Sequence, residues 1–202
     1  MKLYILRHGH SISNITAAVS CKPPGLGLSE KGIQQAKDVT TEFLDKKIEK
    51  VFVSSFLRTI ETADIVCPVI GIKKYYVDER VREHDFGEWD GKNGDQMAPD
   101  LIKHLQLSDQ GKIDINFTKT GETQRNFFSR VYGWLNELKD TDYENVLLIT
   151  HASPAAIITR LYSKITNTKQ IGGDLKNCEY IVLDLNGHIF KEINKTVIDL
   201  NE

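Results

Sequence analysis

An unbroken apolar run, Leu3-Tyr4-Ile5-Leu6, closes on a charged pair, Arg7-His8, and then on Gly9. Such a run, bounded by charge, predicts a short strand buried on both faces. Ser11, Ser13 and Asn14 follow, ahead of an Ala-containing segment with helical character. Similar strands are expected over Lys50 to Ser54, Lys74 to Val77 and Asn145 to Thr150. Between them helical spacing recurs. Ile33, Ala36, Val39, Phe43 and Leu44 give one buried face to a helix opened by Ser29 as N-cap, with Glu30 at its positive end. Ile60, Ala63 and Val66 mark a helix after Arg58 that Pro68 and Gly71 end. Phe127, Val131, Leu135 and Leu138 mark another after Gly121-Glu122-Thr123. Ala152-Ser153-Pro154 opens a last one, with proline in the first turn, where its missing N–H costs nothing. Two final strands, near 179–185 and 188–193, are joined through Asn186-Gly187, a hairpin signal.

The β-α-β-α-β order of the first half predicts helices on the faces of a parallel sheet. The expected class is α/β, a three-layer α/β/α sandwich around a mostly parallel sheet, with residues 1–202 as one domain. Three stretches interrupt the pattern. Residues 20–28 are a Pro/Gly loop. Residues 78–91 mix acidic and basic groups with Phe86, Trp89 and two glycines, an ordered loop without a period. Residues 92–118 carry Pro99, Gly111 and a short helical piece near Leu101 to Leu107, and read as a lid or cap.

Composition removes several classes of function. Hydrophobic content of 40% and charged content of 27% are those of a globular protein. A net charge of −2, with no basic stripe, argues against a nucleic-acid surface. No apolar run approaches membrane-spanning length, and the opening Met-Lys shows no signal pattern. Cys21, Cys67 and Cys178 are odd in number and far apart, fitting neither a disulfide framework nor a zinc spacing. The expectation is a reduced, cytoplasmic protein.

Three strand ends carry related chemistry. The first ends in Arg7-His8-Gly9, the second in Ser54-Ser55 with Arg58 a turn later, and a later one in Thr150-His151. Parallel strands bring such ends to one edge, where open sheets bind ligands. Arg offers a planar fork of donors that suits phosphate. His8 offers a nitrogen able to act as a nucleophile near neutral pH, and Gly9 a backbone that lets a ligand come close. Gathering cations in a dry cleft is costly unless an anion enters. A phosphate group with two Arg forks and two imidazoles around it fits that demand. Phosphate monoesters are slow to hydrolyse, and their alkoxide leaving group calls for a general acid. Spacing alone leaves Asp78, Glu79, Glu83, Asp85, Glu88 and Asp90 all open for that role. The pair His8-x-His10 has no carboxylate cluster beside it to suggest a metal site.

These residues also carry a family resemblance. Leu6-Arg7-His8-Gly9-x-Ser11-x-x-Asn14 resembles the signature of the histidine phosphatases, the superfamily that includes cofactor-dependent phosphoglycerate mutases. The likeness extends to Leu28-Ser29-Glu30-Lys31-Gly32-x-Gln34-x-Ala36, Ser54-Ser55-x-x-Arg58-x-x-x-Thr62-Ala63 and Arg82-Glu83-x-x-x-Gly87-x-Trp89-x-Gly91. Gly121-Glu122-Thr123 and Thr150-His151 complete the ordered set. The resemblance implies a phosphoglycerate mutase-like fold and a phosphohistidine mechanism. His8 would attack phosphorus, while Arg7, Arg58 and His151 stabilise the equatorial charge. Glu83, by its place in the Arg-Glu block, resembles the acid that protonates the departing oxygen and then activates water. Asn14, Gly9, His10, Ser11 and Ala152 are the expected substrate contacts. Glu122 resembles a supporting residue, or a carboxylate at a helix N-terminus.

No metal or other cofactor is called for, and the partner is a small phosphate ester met by a monomer or homodimer. Two positions depart from the family pattern: His10 stands where Glu or Gln is usual, adding a cation at the pocket mouth, and Ala152 where Gly is commoner. Hydrolysis is favoured over mutase chemistry, since 92–118 supplies Lys92, Lys103, His104 and Lys112 but no Arg pair. A phospho-ligand-binding pseudoenzyme would be expected to lack His8, Arg58, Glu83 or His151, and all four are present.

Overall fold

The computed structural model describes residues 1–109, 114, 116–162, 175–185, 188–193 and 196–199. In chain order it contains β1 (Lys2–Arg7), α1 (Ile12–Thr16), α2 (Glu30–Thr40), β2 (Lys50–Val53), α3 (Leu57–Val69) and β3 (Tyr76–Val77). The second half contains α4 (Gly94–Asp109), α5 (Gln124–Lys139), β4 (Asn145–Thr150), α6 (Ala152–Tyr162), β5 (Tyr180–Asp184), β6 (His188–Ile193) and β7 (Thr196–Asp199). The strands form one sheet in the order β3-β2-β4-β1-β5-β6-β7. The pairs β3–β2, β2–β4 and β4–β1 are parallel, and β5, β6 and β7 add on antiparallel.

Alternation along the central strands makes the three layers. Leu3 and Ile5 of β1, with Val146 and Leu148 of β4, face Phe127, Val131, Trp134 and Ile158 of α5 and α6. Tyr4 and Leu6, with Leu147 and Ile149, face Val39, Phe43, Ala63 and Val66 on the other side. Each of these strand residues is fully or nearly fully buried. Burial of a side chain of this size is worth about 1.5–3 kcal/mol. The sheet therefore holds helices on both faces, as the sequence pattern requires.

Several elements differ in detail from their sequence signals. Ile33 is 39% exposed and Leu44 54%, so neither belongs to the buried face of α2. That face runs through Gly32, Ala36, Val39, Thr40 and Phe43, because the first turn of α2 lies directly on the backbone of residues 9–10. A Cβ at Gly32 would fall 1.9 Å from the His10 carbonyl oxygen, and one at Gly9 would fall 2.6 Å from that of Gly32. Only two small residues permit that approach. Pro68 lies inside the last turn of α3 rather than beyond it. β3 is only two residues long, an edge strand with Tyr76 and Val77 half exposed. The segment 92–118 contains a 16-residue helix, α4, longer than the short piece expected, with Pro99 inside it. β7 was not signalled at all. The Asn186-Gly187 turn, with Gly111 and Lys112, lies outside the described residues.

Candidate active site

The parallel register brings the strand ends together. Arg7 stands opposite Thr150, and Val53 opposite Ile149. One residue on, the His8 amide donates to Thr150 O at 3.0 Å and the Ser54 amide to Ile149 O at 3.0 Å. His8, Ser54 and His151 thus leave the sheet at one edge, where α3 and α6 begin. Both helices present their positive ends there, which favours an anion.

Arg58, 4% exposed in the first turn of α3, joins the two imidazoles. Its Nε donates to His8 Nε2 at 3.0 Å, and its Nη2 donates to His151 Nδ1 at 3.0 Å. Nη1 and Nη2 also donate to Ser20 Oγ and Ser20 O, each at 3.1 Å. A guanidinium only donates, so the contacted nitrogens carry lone pairs. His8 then holds its proton on Nδ1, which donates to Gly9 O at 2.7 Å. His151 holds its proton on Nε2, against Ser54 Oγ at 2.7 Å. The rings meet edge to face, centroids 5.1 Å apart.

Burial, then the neighbouring Arg58 charge, pushes the pKa of both imidazoles well below the usual histidine value, so both are neutral. Burial also brings Arg58 down to about 10, against a raising pull from Glu83. Arg7 is lowered for the same reason, with Glu83 and Glu179 opposing. Arg7 Nη1 donates to Leu175 O, and its buried Nε has no hydrogen-bond partner among the described residues. An unmet buried donor costs about 1–3 kcal/mol, which an anionic oxygen would offset.

Arg7, His8 and Arg58 line a cleft of about 170 Å³, with His151 fully buried behind them. Glu83 is the one carboxylate lining it among the described residues. The rival carboxylates are occupied elsewhere or face outward. Asp78 pairs with Arg80, Asp85 accepts from the Gly87 amide, and Asp90 accepts from the Cys21 amide at 2.8 Å. Glu79 lies 3.9 Å from Arg82, and Glu88 is exposed on another face with Trp89 and Lys92.

The loop bearing Glu83 is held by a partly buried ion pair. Arg130 of α5 donates to Glu122 Oε2 at 3.0 Å and Oε1 at 2.6 Å. Its remaining N–H groups donate to the carbonyls of Arg80, Arg82 and Glu83. Glu122 Oε1 accepts from the Asp85 amide. Burial alone raises the Glu122 pKa, but Arg130 outweighs it and holds the carboxyl below its usual value. Gly87 and Gly121 abut each other's backbone, where a Cβ on Gly87 would come within 2.4 Å of the Gly121 nitrogen. Glu122 is a support.

Four expected contacts lie elsewhere. The His10 ring binds Ser29 Oγ at 2.9 Å, away from the residues that line the cleft, so it adds no cation at the mouth. Its amide is held by Gln35. Ser11, fully buried at the N-cap of α1, donates its amide and hydroxyl to Asn14 Oδ1 and lies against Ser13 Oγ. The Gly9 amide donates to Thr62 Oγ1, and its lack of a side chain serves the contact with Gly32 rather than a ligand. Ala152 opens α6 without lining the cleft. Asn14 does line it. Ser13, Val19, Ser20, Phe86 and Met97 also line it and went unnoticed as site residues. Ser20 lies in a loop with no periodic signal, and its role appears only once Arg58 is placed.

Among the described residues, no three His, Cys, Asp or Glu side chains are grouped to hold a metal, and no helix is long and apolar enough to cross a membrane. A family model described as histidine phosphatase superfamily (branch 1) matches residues 3–195. The Hydrogenobacter thermophilus protein named "Putative phosphoserine phosphatase 2" is 29% identical over 164 residues, 81% of this chain and 79% of that one. The 2,3-bisphosphoglycerate-dependent phosphoglycerate mutase of Thermoplasma acidophilum is 26% identical, covering 92% and 88%. The crystal structure of a phosphoglycerate mutase from Bacillus anthracis shares the fold, with a TM-score of 0.77 at 23% identity over 100% of this chain and 93% of that one.

Two outcomes follow from the buried charges. Removing Arg130 strands the Glu122 carboxylate, so Arg130→Met should lower unfolding free energy by about 3 kcal/mol in urea titration, and the added Glu122→Gln change should recover part of it. Both imidazoles titrate lower in the fold than in the unfolded chain, whose histidines titrate near about 6.5. As pH falls through that value the unfolded chain takes up more protons, and stability drops. Thermal melts should show Tm falling from pH 7 to 5, with a shallower fall in His151→Asn.

Proposed function

The chain belongs to branch 1 of the histidine phosphatase superfamily, and on that footing we propose that it hydrolyses a small phosphomonoester through a phosphohistidine on His8. The observation that carries this reading is the His8 tautomer. With Nδ1–H held on Gly9 O, Nε2 carries the lone pair, which accepts from Arg58 Nε at the wall of the cleft that His8 lines.

In the first half-reaction Nε2 attacks phosphorus and the bond to the alcohol oxygen breaks. Arg58 shifts its Nε donor from His8 to a phosphoryl oxygen, and Arg7 brings its unmatched Nε. His151, with its Nε2–H held on Ser54 Oγ, accepts from Arg58 Nη2 and so orients that guanidinium. The guanidinium donors stabilise charge as it builds in the transition state. Glu83 gives its proton to the leaving oxygen. The phosphorylated ring keeps Nδ1–H and carries a positive charge, which the Gly9 carbonyl stabilises. In the second half-reaction Glu83 takes a proton from water, the resulting oxygen attacks phosphorus, and the P–N bond breaks. Inorganic phosphate leaves and His8 is neutral again.

Relatives in the family carry both phosphatase and mutase names. Hydrolysis is supported here by the lack of a further cation lining the cleft among the described residues, which a second acidic group would require. Residues 1–202 act as one catalytic unit with 92–118 as its cap, supported by Met97 in the cleft wall and by the Ala18–Asn93 pairing. The reading places the enzyme in the cytoplasm, as a monomer or homodimer.

His8→Ala should lower kcat by roughly 10⁴-fold or more. Glu83→Gln should slow alkyl phosphates by about 10²–10⁴-fold and para-nitrophenyl phosphate far less, since that leaving group needs no proton. Phosphate release assays test both. A normal rate in His8→Ala removes the nucleophile, and equal losses for the two ester types remove Glu83 from the acid role.

A further inference from the structure

The alcohol side of the cleft has a chemistry of its own. Resting on the phosphatase reading, we infer that the alcohol half of the substrate is uncharged and carries an apolar group, and that esters bearing a second anionic group are turned over poorly.

Cations come first. Arg7 and Arg58 are the only ones lining the cleft among the described residues, and both are spent on the phosphoryl end. Arg58 bonds both imidazoles and Ser20, while Arg7 is anchored on Leu175 O beside His8. His10, the other cation expected at the mouth, is turned onto Ser29. A carboxylate on the alcohol would find no further cation lining the cleft among the described residues, and burying an unpaired charge is costly.

Beside the polar Ser13, Asn14 and Ser20, the lining carries an apolar patch of Val19, Phe86 and Met97. Val19 is fixed by a backbone pair, its amide donating to Lys92 O and its carbonyl accepting from Gly91, each at 2.8 Å. Phe86 is locked edge to face against His84 and Phe117, with centroids 4.6 and 5.5 Å away. Met97, 8% exposed in the first turn of α4, completes the patch with an adaptable side chain. A fixed ring, a fixed branched side chain and a thioether reward apolar contact and offer no partner to an anion.

The test compares isobutyl phosphate with 3-phosphoglycerate, alkyl phosphates that both need an acid for the leaving oxygen, with para-nitrophenyl phosphate as the reference for turnover. The expected kcat/KM for isobutyl phosphate is at least tenfold above that for 3-phosphoglycerate. Met97→Lys should shrink or reverse that ratio by supplying the missing cation, and Phe86→Ala should shrink it by raising KM for isobutyl phosphate. Circular dichroism establishes that each variant is folded. Equal or better turnover of 3-phosphoglycerate by the wild type overturns the inference and leaves the phosphatase reading standing. A ratio unmoved in both folded variants also overturns it. No turnover of any ester, para-nitrophenyl phosphate included, overturns the phosphatase reading and the inference with it.

Discussion

Arg58 bridges two imidazoles that burial, and then its own charge, keep from ionising, and much of the molecule serves to hold that contact. The guanidinium is 4% exposed and the histidines 4% and 0%, so little water screens the group. Donation from Arg58 to His8 Nε2 and His151 Nδ1 settles both tautomers at once, through hydrogen bonds rather than through any property of the residues in isolation. The assembly remains short of negative charge. Arg7 has an unmet buried donor and Arg58 is lowered to about 10 by burial. A dianionic phosphoryl group answers both, which is why the same contacts that burden the folded chain prepare it for chemistry.

Two structural devices position this contact. The floor is the sheet edge, where the parallel register places Arg7 across from Thr150 and Val53 across from Ile149. The wall is the 78–91 loop, tied down by Arg130 through three carbonyls and by Thr150 Oγ1 on Val81 O. The floor supplies His8, Arg7 and Arg58, and the wall supplies Phe86 and, among the described residues, the one carboxylate lining the cleft, Glu83. Because separate elements build the two halves, the alcohol side can vary in chemistry while the phosphoryl side stays fixed.

Much of this was legible in the chain. The apolar runs at 3–6 and 145–150 told of strands buried on both faces, and three chemically related strand ends told of convergence. Arg7, His8, Arg58 and His151 were found because register is set by backbone pairing, which the hydrophobic pattern controls. His10 and Ser11 misled because neighbours in sequence point in different directions once the chain turns: both serve helix starts, at Ser29 and at α1. Gly9 was read as room for a ligand, but the room belongs to Gly32. Ile33 and Leu44 were one residue off a face whose phase is set by that close approach. Ser20, Phe86 and Met97 come from a loop, a turn and a cap helix, where no period reports direction. Among six acidic candidates in 78–91, spacing made no choice and the family resemblance chose Glu83; the structure sets Glu83 alone of the six at the cleft, with the others on Arg80, Gly87, Cys21, Arg82 and open solvent.

The central claim is that the Nε2 lone pair of His8 is the group that accepts phosphorus. Rapid acid-free quenching of the enzyme during turnover of a ³²P-labelled monoester, followed by peptide mapping, tests it most directly. The account predicts a label on the peptide containing His8, stable in alkali and lost in acid, as a phosphorus–nitrogen bond requires. A label on a carboxylate or hydroxyl, or steady turnover in which no labelled enzyme forms even on the millisecond scale, would contradict it.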